Sequence, residues 1–332
     1  MNASSPARVV LTGAGFDAAA WFARYGTLVS LGALLIAFSL ARPEVFPTVD
    51  NVLNIMNQIS ILGTIAFGLT VCLVMGLFDL SIAAMATLGG YIATLLLVAY
   101  PDTVGVPAAV LASLVTCALI GVVNGLIVSY LGISAFIATL ATGSIITGSV
   151  LGISNSKTII TGIPDAFMAI GQGSIFGVSN PILIMLGVGF VLWLLLEHTQ
   201  LGRHLYAIGG NMEASRLSGI AVKRYAPFAL AVCAACAGLG GLIAAAVLGA
   251  GRPQGVGDTY LLNAFAAVFI GASSLRPGAF HILGTLIGVL LIGVINNGLS
   301  VMGVPTYWQY IVQGVLLVIA LFSAGVLTMR RH

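Results

Sequence analysis

Charged residues divide this chain into long apolar runs. Residues 25–41, 51–78, 80–101, 103–156, 166–196, 225–251, 259–275 and 282–329 contain no Asp, Glu, Lys, Arg or His. Most exceed the roughly 20 residues that a helix needs to cross a hydrocarbon core of about 30 Å. Inside lipid no water satisfies the backbone, so each run must close its own hydrogen bonds as a helix. The run 103–156 holds two helices, broken near Tyr130-Leu131-Gly132-Ile133-Ser134, and 282–329 splits near Met302-Gly303-Val304-Pro305. The pattern predicts an all-α polytopic integral membrane protein of about ten transmembrane helices, with one short or broken helix at 259–275. Composition agrees, since 6% of the 332 residues are charged and 59% hydrophobic, against about 25% charged in soluble domains. So few charges cannot cover the surface of a soluble domain of this size.

Orientation follows from the basic residues. With the N-terminus in the cytoplasm, the inner segments carry Arg8, Arg24, Arg203, Arg216, Lys223, Arg224, Arg276, Arg330 and Arg331. The outer segments carry only Arg42, Lys157 and Arg252. This obeys the positive-inside rule. It places both termini and residues 197–224 in the cytoplasm, and 153–180, the longest outer connection, outside. Residues 1–24 read as a cytoplasmic tail and 25–41 as an uncleaved first helix. No linker or composition shift divides 1–332, so a single transmembrane domain is expected.

Cys72, Cys117, Cys233 and Cys236 all lie in apolar runs. They read as small packing residues despite the Cys233-x-x-Cys236 spacing, and no metal site is expected. Among the 42 glycines, Gly121/Gly125, Gly148/Gly152 and Gly284/Gly288 stand four apart on predicted spans. Helices associating in lipid need such small residues for close backbone approach, and the same contacts would let helices rock. Two stretches predict interrupted helices: Met75-Gly76-Leu77-Phe78-Asp79-Leu80-Ser81, and 269–278 at the end of the short span. Similar breaks in two halves of a chain are what an inverted-repeat transporter shows.

Residues 197–224 form a polar island holding Glu197, Arg203, Glu213, Arg216, Lys223 and Arg224. Asn211 is placed to cap a helix over Met212–Ser218. Glu213 in its first turn suits the positive helix end, and Gly219 is placed to end it. A helix this short is marginal in water, so neighbours must hold it. Ala214 and Leu217 could supply a small apolar face. These residues alone fit equally well a solvated loop whose arginines only set topology.

Glu213-Ala214-Ser215-x-x-x-Gly219 resembles the Glu-Ala-Ala-x-x-x-Gly loop of the membrane subunits of ATP-binding-cassette importers, with Ser215 in place of the second alanine. Residues 201–211 resemble the segment before that loop in ribose-type sugar permeases. So do Phe78-Asp79-Leu80-Ser81, Asn124-Gly125-Leu126, 136–140, Leu283-Gly284-Thr285-Leu286 and Asn296-Asn297-Gly298-Leu299. The likeness runs in order from about residue 50 to 325. It departs at Leu77 and Ala83, where the family's Gly-Gly-Ile-Asp-Leu-Ser-Val-Gly has glycines.

This resemblance implies a permease subunit in the bacterial plasma (inner) membrane, working with a cytoplasmic ATPase, an extracytoplasmic sugar-binding protein and a second permease copy or paralogue. Arg203, Asn211, Met212, Glu213, Ala214, Arg216, Leu217 and Gly219 would form the ATPase-coupling segment. Asp79, Ser81, Asn124, Asn296 and Asn297 are the candidates for translocation or gating.

No Gly-x-x-x-x-Gly-Lys-Ser/Thr motif occurs. The chain is therefore expected to hold no cofactor and no catalytic residue, with ATP and Mg bound by the partner ATPase, and no nucleic acid partner. Asp79 falls near the cytoplasmic end of the second span, where water or a helix N-terminus could satisfy it; gating or solute contact is the other role open to it. Asp258 and Arg252 are expected at the outer mouth. His281 with Ser273 and Ser274 lacks a Gly-x-Ser-x-Gly setting, and His198 and His204 lack metal spacing, so no hydrolase is expected. The rival reading is an ion-coupled secondary carrier of a small polar solute using Asp79. The identity of the sugar or polyol is open at this stage.

Overall fold

The computed structural model describes residues 18–315 and 318. Its helices are α1 (Ala18–Ala41), α2 (Val49–Val74), α3 (Ile82–Ala99), α4 (Val106–Leu131), α5 (Ala135–Ser154), α6 (Asp165–Gln172), α7 (Asn180–His198), α8 (Gln200–Gly210), α9 (Met212–Leu217), α10 (Tyr225–Leu248), α11 (Asp258–Ala272) and α12 (Ile282–Val301). Among the described residues, α1 to α5, α7, α10 and α12 are the eight long and apolar enough to cross a membrane. The expected short helix is α11, with 15 residues. A further helix covers 306–315, and the rest of the expected tenth span, apart from residue 318, lies outside the described residues.

The breaks occur where glycine permits them. Gly132 ends α4 at φ 68°, Gly76 follows α2 at φ 78°, and Gly303 follows α12 at φ 76°. Two expectations need correction. Helix α1 begins at Ala18, so 18–24 are helix and not tail, as the run Ala18-Ala19-Ala20-Trp21-Phe22 favours. The run 166–196 is not one span. It holds α6, then a hairpin of β1 (Ser174–Ile175) and β2 (Val178–Ser179), and only then α7. Phe176 and Gly177 turn the hairpin with φ 52° and 79°, the left-handed pair that a two-residue turn requires.

Helix α10 is the centre of the bundle and packs on α2, α3 and α4. Its closest contacts with α3 and α4 are backbone to backbone. Gly121 and Gly125 of α4 face Leu230–Ala231 and Ala226–Pro227, and Gly89 and Gly90 of α3 face Gly238 and Gly241. Gly284 and Gly288 of α12 sit on Gly271 and Ala267 of α11. The third expected pair behaves differently: Gly148 and Gly152 on α5 face open space.

The α2–α3 break lies inside the bundle. Cys72, Asp79 and Cys233 bring their side-chain ligand atoms within 4.8 Å of one another. Cys233 is eight residues into α10, about 12 Å along it at 1.5 Å per residue. The chain after α10 folds back to the same level. The Gly257 amide donates to Thr87 Oγ1 at 3.3 Å, and the Gly257 Cα lies against the Ala83 carbonyl. Phe78 then stacks on Phe265 and Phe269. Helices α3 and α11 thus begin side by side within the bundle and run in opposite directions, which is why α11 is short.

Candidate functional site

A cavity of about 720 Å³ opens on the face opposite residues 197–224. It lies between the first half of α2, the α6–hairpin segment, the start of α11 and the end of α12. Its polar lining includes Asn54, Asn57 and Gln58 of α2, Gln172, Thr259, Tyr260, Asn263, Asn296, Ser300 and Gln309, with no charged side chain among the described residues. The spacing of Asn54, Asn57 and Gln58 puts them on one helix face. Several amides are held in place by their neighbours. Gln313 donates to Asn296 Oδ1 at 3.0 Å, Gln309 to Ser300 Oγ at 3.1 Å, and Gln58 to Asn54 Oδ1 at 3.3 Å. Asn263 Nδ2 donates to Thr259 O at 2.8 Å. Such a lining can both donate to and accept from hydroxyl groups.

Of the residues singled out for translocation, only Asn296 lines this cavity. Asn297 is buried and exchanges two amide hydrogen bonds with Asn51, each 3.0 Å, joining α12 to α2. Asn124 is buried and accepts from Thr142 at 2.6 Å, joining α4 to α5. Neither lines the cavity, and Asn124 Nδ2 is buried without a partner among the described residues. Replacing Asn297 with Ala leaves Asn51 Oδ1 unpaired, and the expected cost is about 1–3 kcal/mol, read as a lower Tm. Asn296→Ala should leave Tm unchanged and lower solute uptake.

Asp79 and Ser81 stand at the α2–α3 break. Asp79 is wholly buried, and Oδ1 accepts from the Ser81 amide at 2.9 Å and the Ser81 hydroxyl at 2.5 Å. These bonds form a tight turn just ahead of α3, at the helix end that favours negative charge, while Oδ2 has no partner among the described residues. Leu80 N donates to Thr139 Oγ1 at 3.0 Å, tying the break to α5. Cys72 Sγ donates to Ala229 O at 3.3 Å. Asp258 is not at the outer mouth. It begins α11 and borders a cavity of about 340 Å³ with Leu80, Ala83, Ser144 and Thr147. The loop carrying it folds inward onto α3. Arg252 is exposed and borders a small cavity beside the large one, with Thr259 and Tyr260 common to both.

In the polar island, α8 lies between α7 and α9. Asn211 Oδ1 accepts from the Ala214 amide at 2.9 Å. Gly219, at φ 86°, follows the Ser218 cap and donates to Arg216 O at 3.1 Å. The helix ends at Leu217, one residue earlier than expected. Its inward residue is Ser215, whose hydroxyl donates to Asn211 O at 2.8 Å. Ala214 and Leu217 therefore do not pack inward. Leu217 is 79% and Met212 53% exposed, an apolar tip on a polar loop, and Ala214 and Arg203 are exposed as well. Arg216 pairs with Glu213 at 2.5 Å on the same exposed face. Its guanidinium holds the Glu213 carboxyl below its ordinary range.

The family described as "Branched-chain amino acid transport system / permease component" matches residues 51–321. The chain belongs to this permease family. It is similar to the ribose import permease protein of Escherichia coli strain K12, at 36% identity over 93% of this chain and 96% of that one. It is also 34% identical to the D-allose transport system permease protein of the same strain, over 92% of each chain. The xylose transport system permease protein of Haemophilus influenzae is 30% identical over 90% of this chain and 95% of its own. No solved structure matches the chain. The permease is thus a multi-pass membrane protein with a transport role. Its amide lining escaped sequence reasoning because Asn and Gln carry no charge and do not interrupt a charge-free run. Three amides at 54, 57 and 58 on one face were the available signal.

Proposed function

We propose that this permease is the membrane-spanning subunit of an ATP-binding-cassette sugar importer that moves a monosaccharide or similar polyol across the bacterial inner membrane. The observation that carries the reading is the charge-free amide cavity, in a chain whose relatives are named for ribose, allose and xylose transport. A neutral polyol meets donors and acceptors there without desolvating a charge. By the positive-inside count the cavity faces outward, to receive solute from a binding protein, and residues 197–224 face the cytoplasm.

Helix α9 is the grip for a separate ATPase, which binds ATP and Mg. Met212 and Leu217 are the anchors, Glu213 and Arg216 form a polar rim, and Arg203 lies on the adjoining surface. Closure of an ATPase pair would pull α8 and α9 and rock the helices about the α10 glycine contacts. The second permease copy packs on α5, where Gly148 and Gly152 leave open space beside Ser144, Thr147 and Ser149. These hydroxyls donate to the carbonyls four residues back, so the face is free of unmet polar groups.

The carrier reading is not favoured, since the matching family and the relatives are permease components of import and transport systems. The test is uptake of labelled ribose, allose, xylose and arabinose into proteoliposomes, with and without the ATPase and binding protein. The proposal expects uptake of at least one of these sugars only in the full system with ATP. Uptake by the permease alone, driven by a proton or sodium gradient, would overturn it.

A further inference from the structure

Helix α8 touches both interruptions of the bundle. Gly209 lies directly against the Val74 carbonyl at the end of α2, two residues before Gly76. Three residues earlier on the same helix, the Tyr206 hydroxyl points its one proton between Phe280 O at 3.0 Å and Glu197 Oε1 at 3.2 Å. Glu197 belongs to the last turn of α7, and Arg276 Nη1 meets both of its carboxylate oxygens at 2.7 and 2.8 Å. Arg276 and Phe280 both lie in the turn 273–281, between α11 and α12. One phenol and one ion pair therefore join the consecutive helices α7 and α8 to a turn 74 and 79 positions further along the chain.

The turn they hold has its own conformational peculiarity. Leu275 adopts φ 58°, unusual for a branched apolar residue, and its amide donates to Arg24 O at 2.9 Å. Burial, with the Glu197 carboxylate beside it, pushes the Tyr206 hydroxyl above its ordinary range, so it stays a donor at any working pH. Glu197 is largely covered and Arg276 largely exposed. The cluster's consequence is geometric, because it fixes where α8 and the turn sit relative to each other.

We propose that Tyr206, Glu197 and Arg276 form a latch that carries movement of the α8–α9 segment into the α11–α12 turn, with Tyr206 a positioning residue for transport. When α8 shifts, the Phe280 carbonyl and the Arg276 guanidinium move with it, and α11 moves through the Gly271–Gly284 contact. The proposal rests on the reading that an ATPase grips α9.

Hydrogen exchange separates the two ideas without knowledge of the solute. The permease with its ATPase is compared in nanodiscs, nucleotide-free and trapped with ATP and vanadate. In the wild type, amides of 273–281 are expected to change exchange rate by at least about fivefold on trapping, the lower end of ordinary coupling between sites. Tyr206→Phe loses only the hydroxyl. It should keep α9 protected by the ATPase and keep hydrolysing ATP, yet lose the response at 273–281. Glu197→Gln, which keeps an acceptor for Tyr206 but not the ion pair, should show a reduced response. An undiminished response in Tyr206→Phe, or none in the wild type, overturns the latch while leaving the docking reading intact. An α9 left unprotected when the ATPase binds overturns the docking reading, and the latch falls with it.

Discussion

Leu217→Asp is expected to release the ATPase from a permease that still folds and inserts. Leu217 is 79% exposed at the apolar end of α9 and touches nothing the fold depends on. A buried charge at the centre of an interface removes an anchor worth about 2–4 kcal/mol, which is about 30-fold to 1000-fold in Kd. Gly219→Pro should be as severe by another route. Gly219 sits at φ 86° and donates its amide to Arg216 O; proline fixes φ near −65° and has no amide to donate. Helix α9 then loses its ending. Glu213→Lys reverses the charge in the first turn and sets a second cation beside Arg216, and should weaken docking less. Co-purification with the ATPase and ATP-driven uptake are the two measurements. Full ATPase retention by both Leu217→Asp and Gly219→Pro would remove α9 from the docking role.

The sequence made α9 legible because its ends are set locally. An asparagine cap and a glycine in left-handed conformation act within a few residues, so their placement at 211 and 219 could be read directly. The outward direction of Leu217 could not, because it depends on how α8 seats Ser215 against the bundle. The same contrast holds in the spans. Charge-free runs located α2 to α5, α10 and α12, since lipid leaves a chain only the helix. They misjudged 166–196, where Gly173, Gly177 and Pro181 interrupt a run that carries no charge. Asp258 was misplaced for a related reason. A polar loop between two spans reads as a surface connection, whereas 249–257 folds back onto Ala83 and Thr87 through Gly257. That descent is a long-range packing choice with no local signature. The amide pair Asn51–Asn297 likewise spans 246 positions, and sequence alone offered only two polar residues inside apolar runs.

Gly241→Leu should cost the permease its fold, and Gly148→Leu should not. A Cβ at Gly241 would run into the backbone of Ala86, and one at Gly89 on the facing helix would meet Gly238. Backbone atoms cannot turn aside as a side chain can, so α3 and α10 must separate along the contact at the centre of the bundle. Overpacked cores usually lose about 1–3 kcal/mol, occasionally more, and with backbone on both sides this site belongs at or above the upper end. In lipid the loss is not offset by a hydrophobic drive back together, because separated helices find tails as apolar as their former neighbours. The expected result is little protein in the membrane fraction and a Tm in detergent far below wild type. Gly148 lies on α5 with nothing within 4 Å, so leucine there should change fold stability by no more than about 0.5 kcal/mol. If α5 is the seam with a second copy, that same leucine should abolish self-association measured by cross-linking in membranes. A monomer-stable, dimer-deficient Gly148→Leu beside an unfolded Gly241→Leu would assign the two glycine faces opposite tasks. Equal destabilisation by both would show instead that α5 is packed within one chain, and the seam would have to lie elsewhere.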